Sequence, residues 1–275
     1  MRRIGCHVSI AGGVQNAPGR AAALGCEVFQ MFSRSPQGGP AAKLTPEIIE
    51  AFKRQMAEHS QQACYIHTPY YINFASADEK TRGNSVRIVR EELERASLLG
   101  AAAIMTHLGS AGAGGDEKEA LLRACRSVKE ILKGYKGSAE LLLEISAGAG
   151  AVIGDQFQEV AEIMAASGAT GVCFDSAHAF ASGYDLRTAA AMAETLHAVQ
   201  KTIGKKSIRL IHANDSKVGL GERKDRHDHI GDGKIGRAGF VELMRIFDVD
   251  FILETEHDKV IEDIAVLKTI RKSVS

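Results

Sequence analysis

The chain has 275 residues, of which 45% are hydrophobic and 25% charged, proportions that allow a sizeable buried core and exclude a disordered or fibrous protein. Its 34 Lys and Arg balance 34 Asp and Glu, so no global field draws it to nucleic acid or a membrane, and a nucleic-acid partner needs a local basic patch. The longest apolar runs fall far short of the roughly 18 residues that a membrane span requires.

The opening Met1-Arg2-Arg3 leads into Ile4, Gly5 and His7 without the apolar stretch of a secretory signal, and a cytoplasmic protein is expected. Short β-type runs then recur at 4–8, 28–32, 63–67, 101–107, 140–145, 171–175, 207–213 and 250–254. Segments of helical period alternate with them at 13–24, 46–59, 79–99, 117–133, 155–167, 187–203, 237–246 and 258–271. Thr45-Pro46 supplies a helix start, and Gly100, Gly134, Gly168 and Gly204 sit at or just past helix ends. Runs rich in Val, Ile, Leu and Ala without clean alternation suit a parallel sheet covered on both faces. The expected fold is α/β, a single (β/α)8 TIM barrel formed by residues 1–275 as one domain. A doubly wound sheet or two smaller domains is the alternative, because pattern alone does not show closure. The longest irregular stretch, 214–236, follows the seventh run, and a loop of that length in a compact domain is usually functional.

Five scattered cysteines, Cys6, Cys26, Cys64, Cys125 and Cys173, form no C-x-x-C pair, so neither disulfides nor thiolate zinc sites are expected. They read as small buried hydrophobes.

In a βα barrel the working face lies at the carboxyl ends of the strands. Seven of the eight runs end there on residues unsuited to a core: His7, His67, His107, Glu144, Asp175, His212 and Glu254. Asp175 and His178 lie three apart where run six turns over, and Asp225-Arg226-His227 sits in the long loop. His67, His107, Glu144, Asp175, His178, His212, Asp225, His227 and Glu254 therefore make nine nitrogen and oxygen donors, too many for one tetrahedral ion. Two or three divalent ions follow, and adjacent ions suit in-line attack on phosphate, one activating water while another neutralises the leaving oxygen.

The segments LEISAGAG (143–150), GVCFDSAHAFASGYD (171–185) and NDSKVGLGERKDRHDHIGDG (214–233) resemble the signatures of the endonuclease IV family, zinc-dependent abasic-site endonucleases. IGCHVSIAGG (4–13) and HTPYYIN (67–73) fit the same family, so the resemblance runs nearly end to end. It implies three Zn2+ per chain, with Mn2+ or Fe2+ as substitutes, in a groove that binds duplex DNA and receives a flipped abasic nucleotide. By that resemblance His67 and His107 hold one ion, and Glu144 bridges it to a second held by Asp175, His212 and Glu254. His178, Asp225 and His227 hold the third. The implied reaction cuts the phosphodiester 5′ of the abasic site, leaving a 3′-hydroxyl and a 5′-deoxyribose phosphate, and trims blocked 3′ ends. A monomer is expected.

Three bound Zn2+ would add six positive charges to the neutral chain, and Lys217, Arg223, Lys224 and Arg226 beside the third ligand set are the candidate phosphate contacts. Tyr70 matches the family position that enters the base stack. After run two the pattern departs from the family: FSRSPQGGP (32–40) has Gln37 and Gly39 where an arginine and a tryptophan often stand, leaving Gln37 as the candidate contact. His7 and His229 are read as supports beside the ligands, and His59, His197 and His257 as surface residues on helices or their ends. Gly231 to Gly236 matches G-x-G-x-x-G but follows a loop, so it reads as a turn and not a dinucleotide fingerprint. A xylose-isomerase-like sugar isomerase shares the strand-end ligands but has no evident need for the third set. A DNA-binding protein that retains its metals without turnover is the other alternative.

Overall fold

The computed structural model describes residues 2–274, so Met1 and Ser275 of the expected domain lie outside the described residues. Each apolar run becomes a strand: β1 (Ile4–Cys6), β2 (Phe29–Phe32), β3 (Cys64–His67), β4 (Ala103–Thr106), β5 (Glu140–Glu144), β6 (Gly171–Asp175) and β7 (Ile208–His212). A small antiparallel pair, β8 (Asp215–Ser216) and β9 (His227–Asp228), precedes the last barrel strand, β10 (Asp250–Leu253). The helices are α1 (Ala17–Ala23), α2 (Pro46–Glu58), α3 (Glu79–Leu99), α4 (Glu117–Leu132), α5 (Phe157–Ser167), α6 (Ser176–Ala181), α7 (Ala189–Lys201), α8 (Gly236–Ile246) and α9 (Val260–Val274). Caps set their starts: the side chains of Thr45, Asp78, Asp116 and Thr188 accept first-turn N–H groups of α2, α3, α4 and α7.

Eight strands run parallel in the order β1-β10-β7-β6-β5-β4-β3-β2. The seam between β1 and β2 closes through a parallel bridge between His7 and Gln30, with the Val8 N–H donating to the Gln30 carbonyl at 2.8 Å. Gly5 makes that approach possible, since a Cβ there would stand 1.6 Å from the Val28 carbonyl oxygen. The barrel with its helices outside is the expected (β/α)8 architecture.

Two apolar shells result. One lies between strands and helices, and all eight of its largest fully buried side chains are phenylalanines such as Phe29, Phe174 and Phe251. The other fills the barrel with Val28, Tyr65, Ala103, Met105, Leu142, Cys173, Leu210 and Ile252, contributed by seven strands or the residues that lead into them. At the amino end, Asp250 closes the interior by accepting the Tyr65 hydroxyl at 2.6 Å and pairing with Arg3 at 2.6 Å. Side chains alternate along a strand, so two residues beyond this inner layer the chain points again into the lumen, at its carboxyl mouth. Those positions are His67, His107, Glu144, Asp175, His212 and Glu254.

Neither α6 nor the β8-β9 pair follows from the pattern of the sequence, and the pair breaks the stretch 214–236. All five cysteines are free and buried, and burial pushes the Cys173 thiol up to about 12. Among the described residues no helix is long and apolar enough to cross a membrane.

Candidate metal centre

Six of the nine candidate donors rise from the strand ends, and three come from α6 and the β8-β9 segment beyond them. Asp175 ends β6 and caps α6, its Oδ1 accepting the His178 N–H at 2.7 Å, which turns the His178 ring back over the mouth. His227 lies on β9 and Asp225 just before it, with Asp225 Oδ1 3.2 Å from Nε2 of both His178 and His227. The D-x-H spacing thus brings both side chains to the His178 ring.

Donor atoms converge into three groups, each with all atoms within 4.8 Å of one another: His67, His107 and Glu144; Glu144, Asp175, His212 and Glu254; and Asp175, His178 and His227. Glu144 joins the first to the second, and Asp175 joins the second to the third. Asp225 adds a donor to the last by its contacts with both imidazoles.

The chemistry of this set fits divalent metal. Its donors are imidazole nitrogens and carboxylate oxygens with no thiolate, which suits zinc, manganese or iron. Glu144 and Asp175 are fully buried within reach of Glu254, and carboxylates so placed need cationic partners. Burial would raise Glu144, but His107 and His212 outweigh it and hold its carboxyl well below the usual range. Glu254 is lowered to about 2, with His212 overcoming burial and the repulsion of Glu144. Burial would lower His178, but Asp175 and Asp225 push it up to about 10. In the protein on its own, imidazoles packed against these carboxylates favour their ionised form, as metal cations would.

Ring orientation is fixed from behind. His67 Nδ1 lies 2.7 Å from the Thr68 carbonyl and His178 Nδ1 2.9 Å from the Ile145 carbonyl, so both rings carry hydrogen there and turn Nε2 toward the donor groups.

Two connected hollows open above the donors, of about 480 and about 420 Å³, sharing Tyr70, His107, His178 and Asp225. Tyr70 is 69% exposed at their rim, standing edge-on to Phe32. Lys217 and Arg226 line the larger one. Gln37 is exposed farther out, in a separate groove with Gly38, Tyr71 and Asn84. Lys224 is exposed on the loop. Arg223 differs from its neighbours: its Nε donates to the Gly148 carbonyl at 2.8 Å and it pairs with Asp155 at 2.9 Å, pinning the loop after β8 to the loop after β5.

The supporting residues are not all those expected. His7 does sit beside the ligands, where burial lowers it to about 3 against the pull of Glu254. His229 turns instead to Asp263 at 2.7 Å and Asp258 at 3.3 Å, because Asp263 on α9 also accepts the Ile230 N–H and draws that segment away from the mouth. His257 is exposed but is not on a helix; its Nε2 lies 2.9 Å from the His7 carbonyl at the rim of the larger hollow. Two buried residues were missed. Asn214 donates to Asp175 Oδ2 at 2.7 Å and accepts the Glu254 N–H at 2.8 Å. Gln30, on β2, contacts His7, His212 and Glu254. It stands two residues beyond Val28 of the inner layer, the relation shared by the strand-end ligands, and that spacing is the signal that could have found it.

The G-x-G-x-x-G segment is a turn wrapped around an internal carboxylate. Gly231, Ile235 and Gly236 direct their N–H groups at Asp215, at 2.9 to 3.3 Å, and a Cβ at Gly233 would come within 2.5 Å of Asp215 Oδ1. The backbone donors that bind phosphate in a dinucleotide fold are here occupied by the protein's own side chain.

Residues 18–271 match the family model described as xylose isomerase-like TIM barrel. The chain is 35% identical over 279 residues to a probable endonuclease 4 of Cenarchaeum symbiosum (strain A), covering 98% of each chain. It is 36% identical to a probable endonuclease 4 of Campylobacter concisus (strain 13826), covering 99% of each. Its structure is similar to that of endonuclease IV from Thermus thermophilus, with a TM-score of 0.84, 33% identity and coverage of 99% of this chain and 98% of the other.

Proposed function

The chain belongs to the endonuclease IV family, and from that premise we propose that it is a monomeric, single-domain DNA-repair hydrolase. It cuts the phosphodiester bond 5′ to abasic sites in duplex DNA, leaving a 3′-hydroxyl and a 5′-deoxyribose phosphate, and trims blocked 3′ ends. The observation that carries this reading is the run of three donor groups joined through Glu144 and Asp175 at one mouth.

His67, His107 and Glu144 would hold one Zn2+, with Glu144 shared by a second at Asp175, His212 and Glu254, and His178, Asp225 and His227 would hold a third. Bound together, such ions supply water activation and charge neutralisation for in-line attack on phosphate. The chain's own residues set the rest. Thr68 and Ile145 fix the rings of His67 and His178 through their carbonyls. Tyr70 offers a ring at the rim on which a base next to the flipped nucleotide can stack. Lys217 and Arg226 lie where the strand's phosphates would pass, with Gln37 farther along the duplex.

The test is incision of a duplex carrying one tetrahydrofuran abasic analogue, with metal content measured on the same preparation. The analogue does not undergo β-elimination, so a cut must be hydrolytic. Metal-dependent cleavage immediately 5′ to the analogue, with two to three ions bound, is the expected result. No cleavage by fully metallated protein would overturn the reading in favour of sugar isomerisation, which gives His178, Asp225 and His227 no shared task, or of binding without turnover.

A further inference from the structure

Gln30 is fully buried on β2, at the seam of the barrel, yet its side chain joins residues of three other strand ends. Its Nε2 donates to Glu254 Oε1 at 2.6 Å and lies 3.0 Å from His7 Nδ1, while its Oε1 lies 2.7 Å from His212 Nε2. An ionised carboxylate only accepts hydrogen bonds, so Glu254 requires the amide NH2 on its side and leaves the amide oxygen facing His212. That oxygen also only accepts, so Nε2 of His212 must carry the hydrogen. In the neutral ring that metal binding requires, the lone pair of His212 then resides on Nδ1, the nitrogen 2.9 Å from Glu144 Oε1 and 3.2 Å from Glu254 Oε2.

We propose that Gln30 is a positioning residue of the metal centre: one amide selects the tautomer of His212 and holds one oxygen of Glu254, so that His212 Nδ1 and Glu254 Oε2 face the same ion. This rests on His212 and Glu254 being ligands, as argued above. His67 and His178 obtain the same service from main-chain carbonyls, which mutation does not remove. His212 obtains it from a side chain, and its tautomer is therefore exposed to a single substitution. Metal ligands oriented by such partners lose about 10- to 100-fold in metal affinity when the partner is removed. The seam itself survives a change of side chain, because the bridge between His7 and Gln30 is made by main-chain atoms.

The experiment is competitive zinc titration of the metal-free wild type and of Gln30→Met, which keeps the length and removes both polar ends. The expected result is that one ion of the set is held about 10- to 100-fold more weakly in Gln30→Met while the others are unchanged. Equal affinity of the two proteins for every ion would overturn the role of Gln30 and leave the metal centre intact. A wild type that takes up no zinc would overturn both. Long-range 1H–15N spectra of the zinc-loaded wild type give a second test that does not depend on the variant folding. The His212 ring should be protonated on Nε2 and metal-bound through Nδ1, and the opposite tautomer would overturn the proposal.

Discussion

Glu144 Oε1 lies 2.9 Å from Nδ1 of His212, while its second oxygen turns the other way, 3.0 Å from Nε2 of His67. Both groups flanking this carboxylate are imidazoles and would be metal-bound when ions are present. Glu144→Gln puts an NH2 group against one of them and removes the negative charge from between two cations. Incision should fall by at least about 1,000-fold with the protein still folded by circular dichroism. Steady-state cleavage assays check this, and turnover near that of the wild type would defeat the bridging role.

Metal and protons compete for the same nitrogens. With its pKa raised to about 10, His178 is protonated at pH 7 in the metal-free protein. A raised folded value means that protonation stabilises the metal-free fold fully below the unfolded pKa of about 6.5, and that this contribution is lost as pH rises toward 10. Metal binding has the opposite sign, because it requires the neutral ring. Zinc uptake near pH 7 should therefore release protons, and incision should decline below about pH 6. Calorimetry in two buffers of different ionisation enthalpy measures the first, and a pH–rate profile the second. Zinc uptake without proton release, or a rate flat to pH 5, would contradict the assignment.

Asp215 anchors the segment that carries Asp225 and His227. Its carboxylate accepts N–H groups from Ser216, Gly231, Ile235 and Gly236, and Asp215→Ala leaves them without that acceptor in a largely buried place. A loss of about 2–4 kcal/mol is expected, given about 1–3 kcal/mol for each buried group left unpaired and partial recovery through water. The released loop should also cost the site one bound ion. Chemical denaturation and metal analysis of the same sample test both effects.

Basic residues of the long loop divide into two kinds. Arg226 lines the larger hollow with its guanidinium exposed, whereas Arg223 is committed to Gly148 and Asp155. Arg226→Ala should lower duplex affinity uniformly across sequences and reduce the slope of log affinity against log salt by about one. Arg223→Ala should leave that slope unchanged and instead lower the thermal midpoint. Fluorescence anisotropy at several salt concentrations separates the two, and a similar slope change in both variants would show that Arg223 also meets phosphate.

Sequence by itself determined the order and type of the barrel elements, because a buried parallel strand is an apolar run and its helix an amphipathic one, both readable locally. It also exposed six of the nine candidate donors, since His67, His107, Glu144 and their counterparts are polar residues at the ends of apolar runs, and the other three, His178, Asp225 and His227, by their close spacing to one another or to Asp175. The extra helix α6 escaped notice because six residues complete too few turns to show a period, and the β8-β9 pair because two-residue strands show none. Gln30 was hidden by its run, which continues past it through Met31 and Phe32 and so ends on an apolar residue. Only the closed barrel decided that Gln30 belongs with His212 and Glu254, which lie 182 and 224 residues away in sequence. Likewise, only the fold separated Arg223 from Arg226 and His229 from His7. Local sequence fixes which face a side chain takes, but its hydrogen-bond partner depends on which distant strand or loop the closed sheet brings within about 3 Å.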